Sequence, residues 1–273
     1  MTSQTPPWST HLLDLGPETV RKRFRPGADG EAAREWRALT LLDRYAPGLA
    51  PRPLARADGV VTMSRLPGVP LRGGALTPER LDALAGAVDR LLRAVPAEVA
   101  ARLPARRWDV PHTVAAIRAR AGAAPPPADP EQRRALAEGL RWLAVAEPDL
   151  RAYGLATRPV LGQADGNLAN FLWDGADVRL VDFEDSGRSD RPYELAELLE
   201  HVSAWVHPGA VLDGAELVAR FGLSAAESRR LLVCRRLFAL LWLVLLGAGP
   251  AGLRDNPPDT VSRQAARLRA LLG

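Results

Sequence analysis

Residues 159–194 (PVLGQADGNLANFLWDGADVRLVDFEDSGRSDRPYE) alternate short apolar runs with polar, small-residue loops, and this pattern fits few folds. The first loop carries Asp165 and Asn170. Two further apolar runs within residues 171–181 flank an Asp-Gly turn, and the second run leads directly to Asp182. Apolar runs of this length bounded by Gly and Asp are typical of short strands. The stretch therefore predicts a polar loop followed by a β-hairpin that ends in an acidic cluster.

The order Asp165, Asn170, Asp182 matches the requirements of phosphoryl transfer. In that chemistry one carboxylate accepts the proton of the attacking hydroxyl, while an amide oxygen and a second carboxylate hold magnesium on the nucleotide phosphates. Magnesium prefers hard oxygen ligands and takes only one or two carboxylates from the protein. Asp and Asn are also common turn residues, but the whole ordered set favours catalysis. Asp165 is the predicted base, and Asn170 and Asp182 are the predicted metal ligands.

The same stretch resembles the catalytic core of the aminoglycoside phosphotransferase and choline kinase-like family. The resemblance rests on Gln163-Ala164-Asp165, on Asn170, and on the segments VDFED (residues 181–185) and SDRPYELA (residues 189–196). It implies a small-molecule kinase with a protein-kinase-like fold.

The implied reaction transfers the γ-phosphoryl group of ATP or GTP, with Mg²⁺, to a hydroxyl of a small acceptor such as an aminoglycoside or another antibiotic. A kinase of a metabolite alcohol, of choline, amino-alcohol or sugar type, is one alternative. A non-catalytic nucleotide-binding pseudokinase is another. The expected partners are therefore a nucleotide and a small molecule.

Two features depart from the family pattern, and one residue has two readings. Gln163 stands where the family usually has a His that braces the loop, and a Gln can form hydrogen bonds in the same place. No glycine precedes the first strand, so the glycine-rich loop is missing, shortened or built from residues 2–5 (TSQT). Asp190 is expected to brace the catalytic loop, with a helix N-cap as the alternative.

Residues 11–65 predict a small lobe with a β-sheet, because a hairpin pattern with a Gly-Pro turn opens the segment. Lys22 lies on the second strand of this hairpin and is the only lysine in the chain. A compact ammonium suits phosphate oxygens, and a kinase lysine pairs with a glutamate on the next helix. That helix is predicted over residues 31–45, with Glu35 as the expected partner and Glu31 as the alternative.

A hinge is predicted where the small lobe ends. The segment Met63-Ser64-Arg65-Leu66-Pro67-Gly68 resembles the family's hinge, whose backbone takes the adenine edge, so the nucleotide-binding candidates there are Met63, Ser64 and Leu66. Beyond it the chain shows mainly helical periodicity. The predicted fold class is α+β, with two lobes of protein-kinase-like type. Residues 1–66 form a small antiparallel sheet lobe that clamps the nucleotide, and residues 67–273 form a larger helical lobe with the catalytic loop and the acceptor site.

Acidic residues cluster on the acceptor side of the predicted site. They are Glu184, Asp185, Glu194, Glu197 and Glu200. Together they could form an acidic wall that favours a cationic acceptor, although about half of their spacings are also those of a solvated helix face. The four histidines show no metal-ligand spacing and are expected on a strand face or at helix ends.

Composition excludes several other classes of protein. The pI of 9.9 is accompanied by a net charge of only +4 and by no basic run, which argues against a nucleic-acid partner. The single cysteine, Cys234, excludes a disulfide framework within one chain and fits a reducing cytoplasm. The first ten residues lack the basic and apolar regions of a secretory signal, and the apolar run 237–246 is too short to span a bilayer. We therefore expect a cytoplasmic protein without a membrane partner, whose oligomeric state the sequence leaves open.

Overall fold

The computed structural model describes residues 2–4, 11–123, 125, 127–249, 253 and 256–273. Its first part forms one antiparallel sheet with the strand order β1-β2-β3-β5-β4. The strands are β1 (Thr2–Gln4), β2 (Leu12–Leu15), β3 (Thr19–Arg23), β4 (Pro53–Ala57) and β5 (Val60–Ser64), and helix α1 (Asp29–Tyr45) packs on β4 and β5.

The alternation of side chains along β3 decides where its lysine points. Arg21 and Arg23 are exposed, whereas Lys22 between them is buried, because successive side chains of a strand point to opposite faces. The hairpin of β2 and β3 pairs Leu13 with Lys22, and β5 pairs Val61 with the same residue on the other side. Lys22 is thus held in the middle of the sheet, where its position is fixed by two neighbouring strands.

The rest of the chain is mainly helical. Its helices are α2 (Pro78–Ala94), α3 (Ala97–Ala100), α4 (Val110–Ala123), α5 (Pro130–Ala156), α6 (Arg191–Glu200), α7 (Gly214–Ala219), α8 (Ala225–Leu246) and α9 (Thr260–Leu272). Its strands are β6 (Val69–Pro70), β7 (Pro159–Gly162), β8 (Phe171–Trp173), β9 (Val178–Leu180) and β10 (Gly187–Asp190), and single 3-10 turns cover Leu168–Asn170 and Val202–Ala204.

The segment predicted to carry the chemistry folds as expected. β8 and β9 form the predicted antiparallel hairpin, β6 joins it as a third strand, and β7 pairs with β10. Behind these short strands, α6 packs along α8, while α5, α8 and α9 pack on one another. α8 is the central helix of this lobe, since Leu237, Phe238 and Leu240 are fully buried. The loop and the hairpin therefore rest on a rigid helical base.

The prediction of an α+β fold with a small sheet lobe and a larger helical lobe is confirmed. The predicted boundary between residues 66 and 67 falls between the last strand of the first sheet and β6, and it stays a prediction. The sequence pattern predicts a helix from Pro130 to about Ala146, but α5 continues through Pro148 to Ala156. Leu150 in that extension is fully buried, and its carbonyl accepts a 3.0 Å hydrogen bond from Arg230. These contacts offset the cost of a proline inside a helix.

Within the described part of the chain, no helix is long and apolar enough to cross a membrane.

A buried ion pair joins α6 to α8. Asp190 caps the first turn of α6 by accepting the Tyr193 N–H at 3.0 Å, and its second oxygen lies 2.7 Å from Nη2 of Arg230. Both side chains are almost fully buried. A buried charge that loses its partner is strongly destabilised, so this pair fixes how the two helices meet.

Replacing Arg230→Met should show this dependence, because it leaves Asp190 buried without its cation while keeping a long side chain in the core. We expect the free energy of unfolding to fall by about 3–5 kcal/mol, measured by urea denaturation. The matched control is Arg93→Met on α2, which breaks an exposed contact with Asp89. That change should cost less than about 1 kcal/mol. Equal losses in the two variants would contradict the importance of the buried pair.

Candidate active site

Lys22 lies at the centre of a carboxylate cluster between the two lobes. Its Nζ is 2.9 Å from Oε2 of Glu35, 2.5 Å from Oδ1 of Asp182 and 2.7 Å from Oε2 of Glu184. Burial alone would lower the pKa of Lys22, but the three carboxylates raise it well above its usual value. The lysine is therefore charged. It pairs with Glu35 and not with the alternative, Glu31, and it ties β3 to α1 and to the segment that follows β9.

Two hydrogen bonds fix the backbone on either side of Asp182. The Phe183 N–H donates to Oε2 of Glu35 at 3.0 Å, and Nε2 of Gln163 donates to the Val181 carbonyl at 2.7 Å. Between them Asp182 has a φ of +67°, a left-handed conformation that costs a non-glycine residue about 1–2 kcal/mol. The bonds on both sides keep the residue in that conformation. Gln163 thus holds the loop and the strand together.

Asp165 and Asn170 contact each other within the loop after β7. Nδ2 of Asn170 donates to Oδ2 of Asp165 at 2.8 Å, and the Asn167 N–H donates to Oδ1 at 2.9 Å. Burial, with a further contribution from the negative charge of Asp182, raises the pKa of Asp165 to about 7. A pKa near neutrality suits a group that accepts a proton at physiological pH.

A cavity of about 250 Å³ opens between the lobes beside these groups. Most of its lining is apolar and comes from the sheet, the hinge segment and the hairpin: Leu13, Leu15, Val20, Pro51, Met63, Leu66, Leu172 and Val181. The polar side of the lining includes Lys22, Asn170 and Asp182. The hinge candidates Met63, Ser64 and Leu66 all belong to this lining. The cavity is therefore apolar with a charged end.

The contact that braces the loop is made by Glu194 rather than by Asp190. Oε2 of Glu194 accepts the Ala164 N–H at 3.1 Å. Ala164 directly precedes Asp165 and has a φ of +69°, so the brace stabilises a strained residue next to the predicted base. The expectation that Asp190 performs this role is wrong, because that residue caps α6 and binds an arginine of α8. Its alternative reading as an N-cap is confirmed.

The predicted acidic wall is electrically compensated. The buried guanidinium of Arg106 lies between Glu194 and Glu197 and pairs with both carboxylates. Glu200 is fully buried and lies 2.7 and 2.9 Å from two further guanidinium groups. Both interpretations of the sequence are wrong for Glu194, Glu197 and Glu200. They form neither a negative wall nor a solvated helix face, because all of them point inward to arginines.

The two remaining members of the predicted wall are paired as well. Glu184 contacts Lys22 and lies 3.0 Å from Nε2 of His11, a buried residue directly before β2. Burial would raise the pKa of Glu184, but His11 and Lys22 lower it. Asp185 lies 3.2 Å from Nη1 of Arg107. These carboxylates bind the protein's own cations.

Among the described residues, two groups of side chains each bring three possible metal-ligand atoms within 4.8 Å of one another. They are His11, Glu31 and Glu184, and Glu35, Asp182 and Glu184. Nζ of Lys22 contacts every member of the second group, so an ammonium already supplies the cation there. The predicted metal ligands Asn170 and Asp182 differ in that both line the cavity.

Three residues of the site had no assigned role in the sequence. His11 contacts Glu184, Arg106 holds the glutamate that braces the loop, and Nε2 of His201 lies 3.6 Å from Oδ1 of Asp165. Each contact joins residues far apart in the chain, so no local spacing could reveal it. The expectation that His201 is only a helix end was incomplete, since it does follow α6 but is buried against the loop.

The predicted substitute for a glycine-rich loop is corrected in part. Residues 2–4 form β1 and pair with β2, so they are a strand and cannot be that loop. Thr5, the last residue of the predicted segment, lies outside the described residues.

Three features meet between the small sheet lobe and the helical lobe. They are the pair of Lys22 with Glu35, the loop that carries Asp165 and Asn170, and Asp182 after the hairpin of β8 and β9. This combination defines a phosphotransferase with a protein-kinase-like fold. A family model described as the phosphotransferase enzyme family matches residues 10–232, and the chain belongs to this family. The resemblance predicted from the sequence is thereby confirmed.

Several solved structures share the fold over almost the whole chain. A choline/ethanolamine kinase family protein from Mesorhizobium loti has 18% identity and a TM-score of 0.66, covering 100% of this chain and 88% of its own. The GDP and kanamycin complex of APH(2")-IIIa has 18% identity and a TM-score of 0.68, covering 99% and 92%. Plasmodium vivax ethanolamine kinase has 14% identity and a TM-score of 0.65, covering 99% and 81%. No curated protein matches the chain. At these identities the likeness establishes the fold and leaves the acceptor open.

The raised pKa of Asp165 predicts a pH-dependent stability. The folded-state pKa of about 7 lies above the unfolded value, so the folded protein binds more protons and loses stability as the pH rises between the two values. Asp165→Asn removes this pH-dependent loss of stability, because an amide does not ionise. We expect the difference in unfolding midpoint, variant minus wild type, to increase from about pH 5 to about pH 8 in thermal denaturation without nucleotide.

The control for this experiment is Asp174→Asn in the hairpin turn. The backbone N–H groups of Asp177 and Ala176, with Arg179, lower the pKa of Asp174 to about 2. Asp174 is therefore ionised in both the folded and the unfolded state over the whole range, and its substitution should shift the midpoint by the same amount at every pH. A constant difference for Asp165→Asn would contradict the raised pKa.

Proposed function

We propose that the protein transfers the γ-phosphoryl group of ATP or GTP to a hydroxyl of a small molecule such as an aminoglycoside or another antibiotic. The observation that carries the proposal is the cavity between the lobes, whose mainly apolar lining also includes the charged and polar groups of Lys22, Glu35, Asn170 and Asp182. A nucleotide has the same division, with an aromatic base at one end and phosphates at the other. Asp165 adjoins the charged end through its bond to Asn170.

The hinge supports one mode of base recognition. The Ser64 N–H already donates to the Arg52 carbonyl at 2.9 Å, and the Arg65 N–H donates to the Glu18 carbonyl at 2.8 Å. Pro67 has no N–H. Leu66 is therefore the hinge residue whose N–H would donate to the edge of the base, while Met63 and Leu66 contact its face.

The polar groups of the cavity fit a magnesium nucleotide. Lys22 supplies a compact positive charge for the phosphate oxygens, and Glu35 holds its position. Asn170 and Asp182 offer the amide and carboxylate oxygens that Mg²⁺ prefers. Because Nδ2 of Asn170 donates to Asp165, the amide oxygen remains to act as a ligand. The bound ion would neutralise charge that develops on the phosphates during transfer.

Asp165 carries the proton chemistry. The acceptor hydroxyl oxygen attacks the γ-phosphorus, the bond between that phosphorus and the bridging oxygen of the diphosphate breaks, and the hydroxyl proton passes to the Asp165 carboxylate. The nucleoside diphosphate leaves with the electron pair of the broken bond. Asn167 and Asn170 hold the carboxylate in one orientation through their hydrogen bonds, which supports a role in directing the hydroxyl.

The acceptor is the open part of the proposal. The similar structures include complexes with kanamycin and hygromycin B and enzymes named as choline and ethanolamine kinases. The carboxylates that favoured a cationic acceptor in the sequence are paired with the protein's own arginines, lysine and histidine. A test must therefore offer neutral and anionic alcohols as well as aminoglycosides and choline.

Release of ADP or GDP across such a panel of alcohols tests the proposed function. Asp165→Asn should reduce turnover with any accepted alcohol by about 10²–10⁴-fold, because the general base is lost. Calorimetry should show nearly unchanged nucleotide binding by this variant, and weaker binding when EDTA replaces magnesium. The control Asp174→Asn should leave turnover unaffected. Turnover by Asp165→Asn equal to wild type would remove Asp165 from the mechanism, and metal-independent nucleotide binding would favour a pseudokinase.

Lys22 provides a second test of the same site. Lys22→Arg keeps the positive charge but introduces a larger, forked group that cannot occupy the position of a compact ammonium among three carboxylates. We expect turnover to fall by about ten-fold or more. The matched control is Arg21→Lys, the neighbouring and exposed residue of the same strand, which should keep full turnover. Full activity in Lys22→Arg would show that the lysine is incidental.

A further inference from the structure

His201 is buried directly behind the predicted base. It ends α6 and begins the 3-10 turn of residues 202–204, and its side chain is almost inaccessible to solvent. Its ring packs edge-on against Trp242 of α8, with ring centroids 4.7 Å apart. Its Nε2 lies 3.6 Å from Oδ1 of Asp165. The ring is thus fixed between the helical base of the lobe and the catalytic loop.

Ser203 determines which nitrogen of this ring carries the proton. The Ser203 backbone N–H donates to Nδ1 of His201 at 3.1 Å, and Oγ of Ser203 lies 2.7 Å from the same nitrogen. A ring nitrogen that accepts a backbone N–H carries no proton, so the proton of the neutral imidazole is on Nε2. The N–H dipole of Nε2 therefore faces the Asp165 carboxylate.

We propose that His201 is a positioning residue for Asp165, which directs the N–H of Nε2 at Oδ1 so that Oδ2 is the oxygen that receives the acceptor's proton; this rests on the proposed function. Oδ1 already accepts the Asn167 N–H, and Oδ2 accepts Nδ2 of Asn170. A carboxylate offers about two acceptor sites on each oxygen. With His201 directed at Oδ1, both of its sites are used, and one site on Oδ2 remains for a hydroxyl.

The distance and the surroundings support this role. At 3.6 Å the contact is longer than a hydrogen bond, and catalytic contacts of this kind commonly shorten when substrates bind. Ser203 links the ring to the loop a second time, because its Oγ accepts the Leu168 N–H at 2.9 Å. The turn after α6 therefore holds the loop both at its backbone and at its reactive side chain.

Two substitutions separate the two nitrogens of His201. His201→Asn places an amide oxygen near the position of Nδ1. This keeps an acceptor for the Ser203 backbone N–H (the Ser203 cap) and removes the donor to Asp165. His201→Gln places an amide nitrogen near Nε2, which keeps the donor and loses the cap. We expect kcat to fall by about ten-fold or more in the Asn variant, as for loss of a charge-assisted contact, with the KM for nucleotide unchanged. The Gln variant should retain more of the kcat but unfold at a lower temperature.

Controls and a coupling measurement complete the test. His112→Asn, at an exposed histidine that also lies beside a helix start, should leave kcat unchanged. In an Asp165→Asn background, His201→Asn should cause no further loss, because residues that act as a unit are not additive. Equal losses of kcat in His201→Asn and His201→Gln, or full kcat in His201→Asn, would overturn the proposal.

A readout that needs no acceptor keeps this inference distinct from the proposed function. The chain has only four histidines, so long-range ¹H–¹⁵N spectra of histidine-labelled protein can identify the His201 tautomer. We expect the Nε2–H form, with a signal that moves in Asp165→Asn but not in Asp174→Asn. An Nδ1–H form, or no response to Asp165→Asn, would overturn the proposal. Absence of phosphotransfer to every alcohol by the wild type would instead refute the proposed function.

Discussion

The buried charge of Lys22 is the interaction on which the join between the lobes depends. One ammonium on β3 contacts Glu35 of α1 and both Asp182 and Glu184 after β9. Without it, three carboxylates would lie close together in a poorly solvated space, which is strongly unfavourable. Glu35 in turn fixes the Phe183 backbone. The orientation of Asp182 in the large lobe therefore depends on Lys22 and Glu35, which form an ion pair in the small lobe.

Two residues with strained backbones lie next to the reactive groups. Ala164 and Asp182 both have left-handed backbone conformations, which the surrounding hydrogen bonds of Gln163 and Glu194 maintain. Such conformations persist only where neighbouring structure determines them strongly, and they are typical of functional sites. The helical base makes this possible, because α6 is itself anchored to α8 through the buried pair of Asp190 with an arginine.

Arginine has a structural role in this protein that its composition alone does not reveal. The guanidinium of Arg106 pairs with both Glu194 and Glu197, and that of Arg230 pairs with Asp190. A guanidinium stays charged when buried and bonds two carboxylates with its fixed geometry. Much of the acidic surface suggested by the sequence is therefore internal. The specificity of the acceptor site depends on the groups that remain exposed once these pairs have formed.

The sequence by itself determined the local elements. The loop with Asp165 and Asn170 and the hairpin of β8 and β9 follow from spacing and turn chemistry within short stretches. Lys22 was singled out because the chain has no other lysine. Apart from the predicted pair of Lys22 and Glu35, only the tertiary structure decided which partner each charged group takes. Glu194 rather than Asp190 braces the loop, and His201 meets Asp165, because such contacts depend on how helices pack. Packing brings together residues that are far apart along the chain, and no local sequence pattern indicates that they will be in contact.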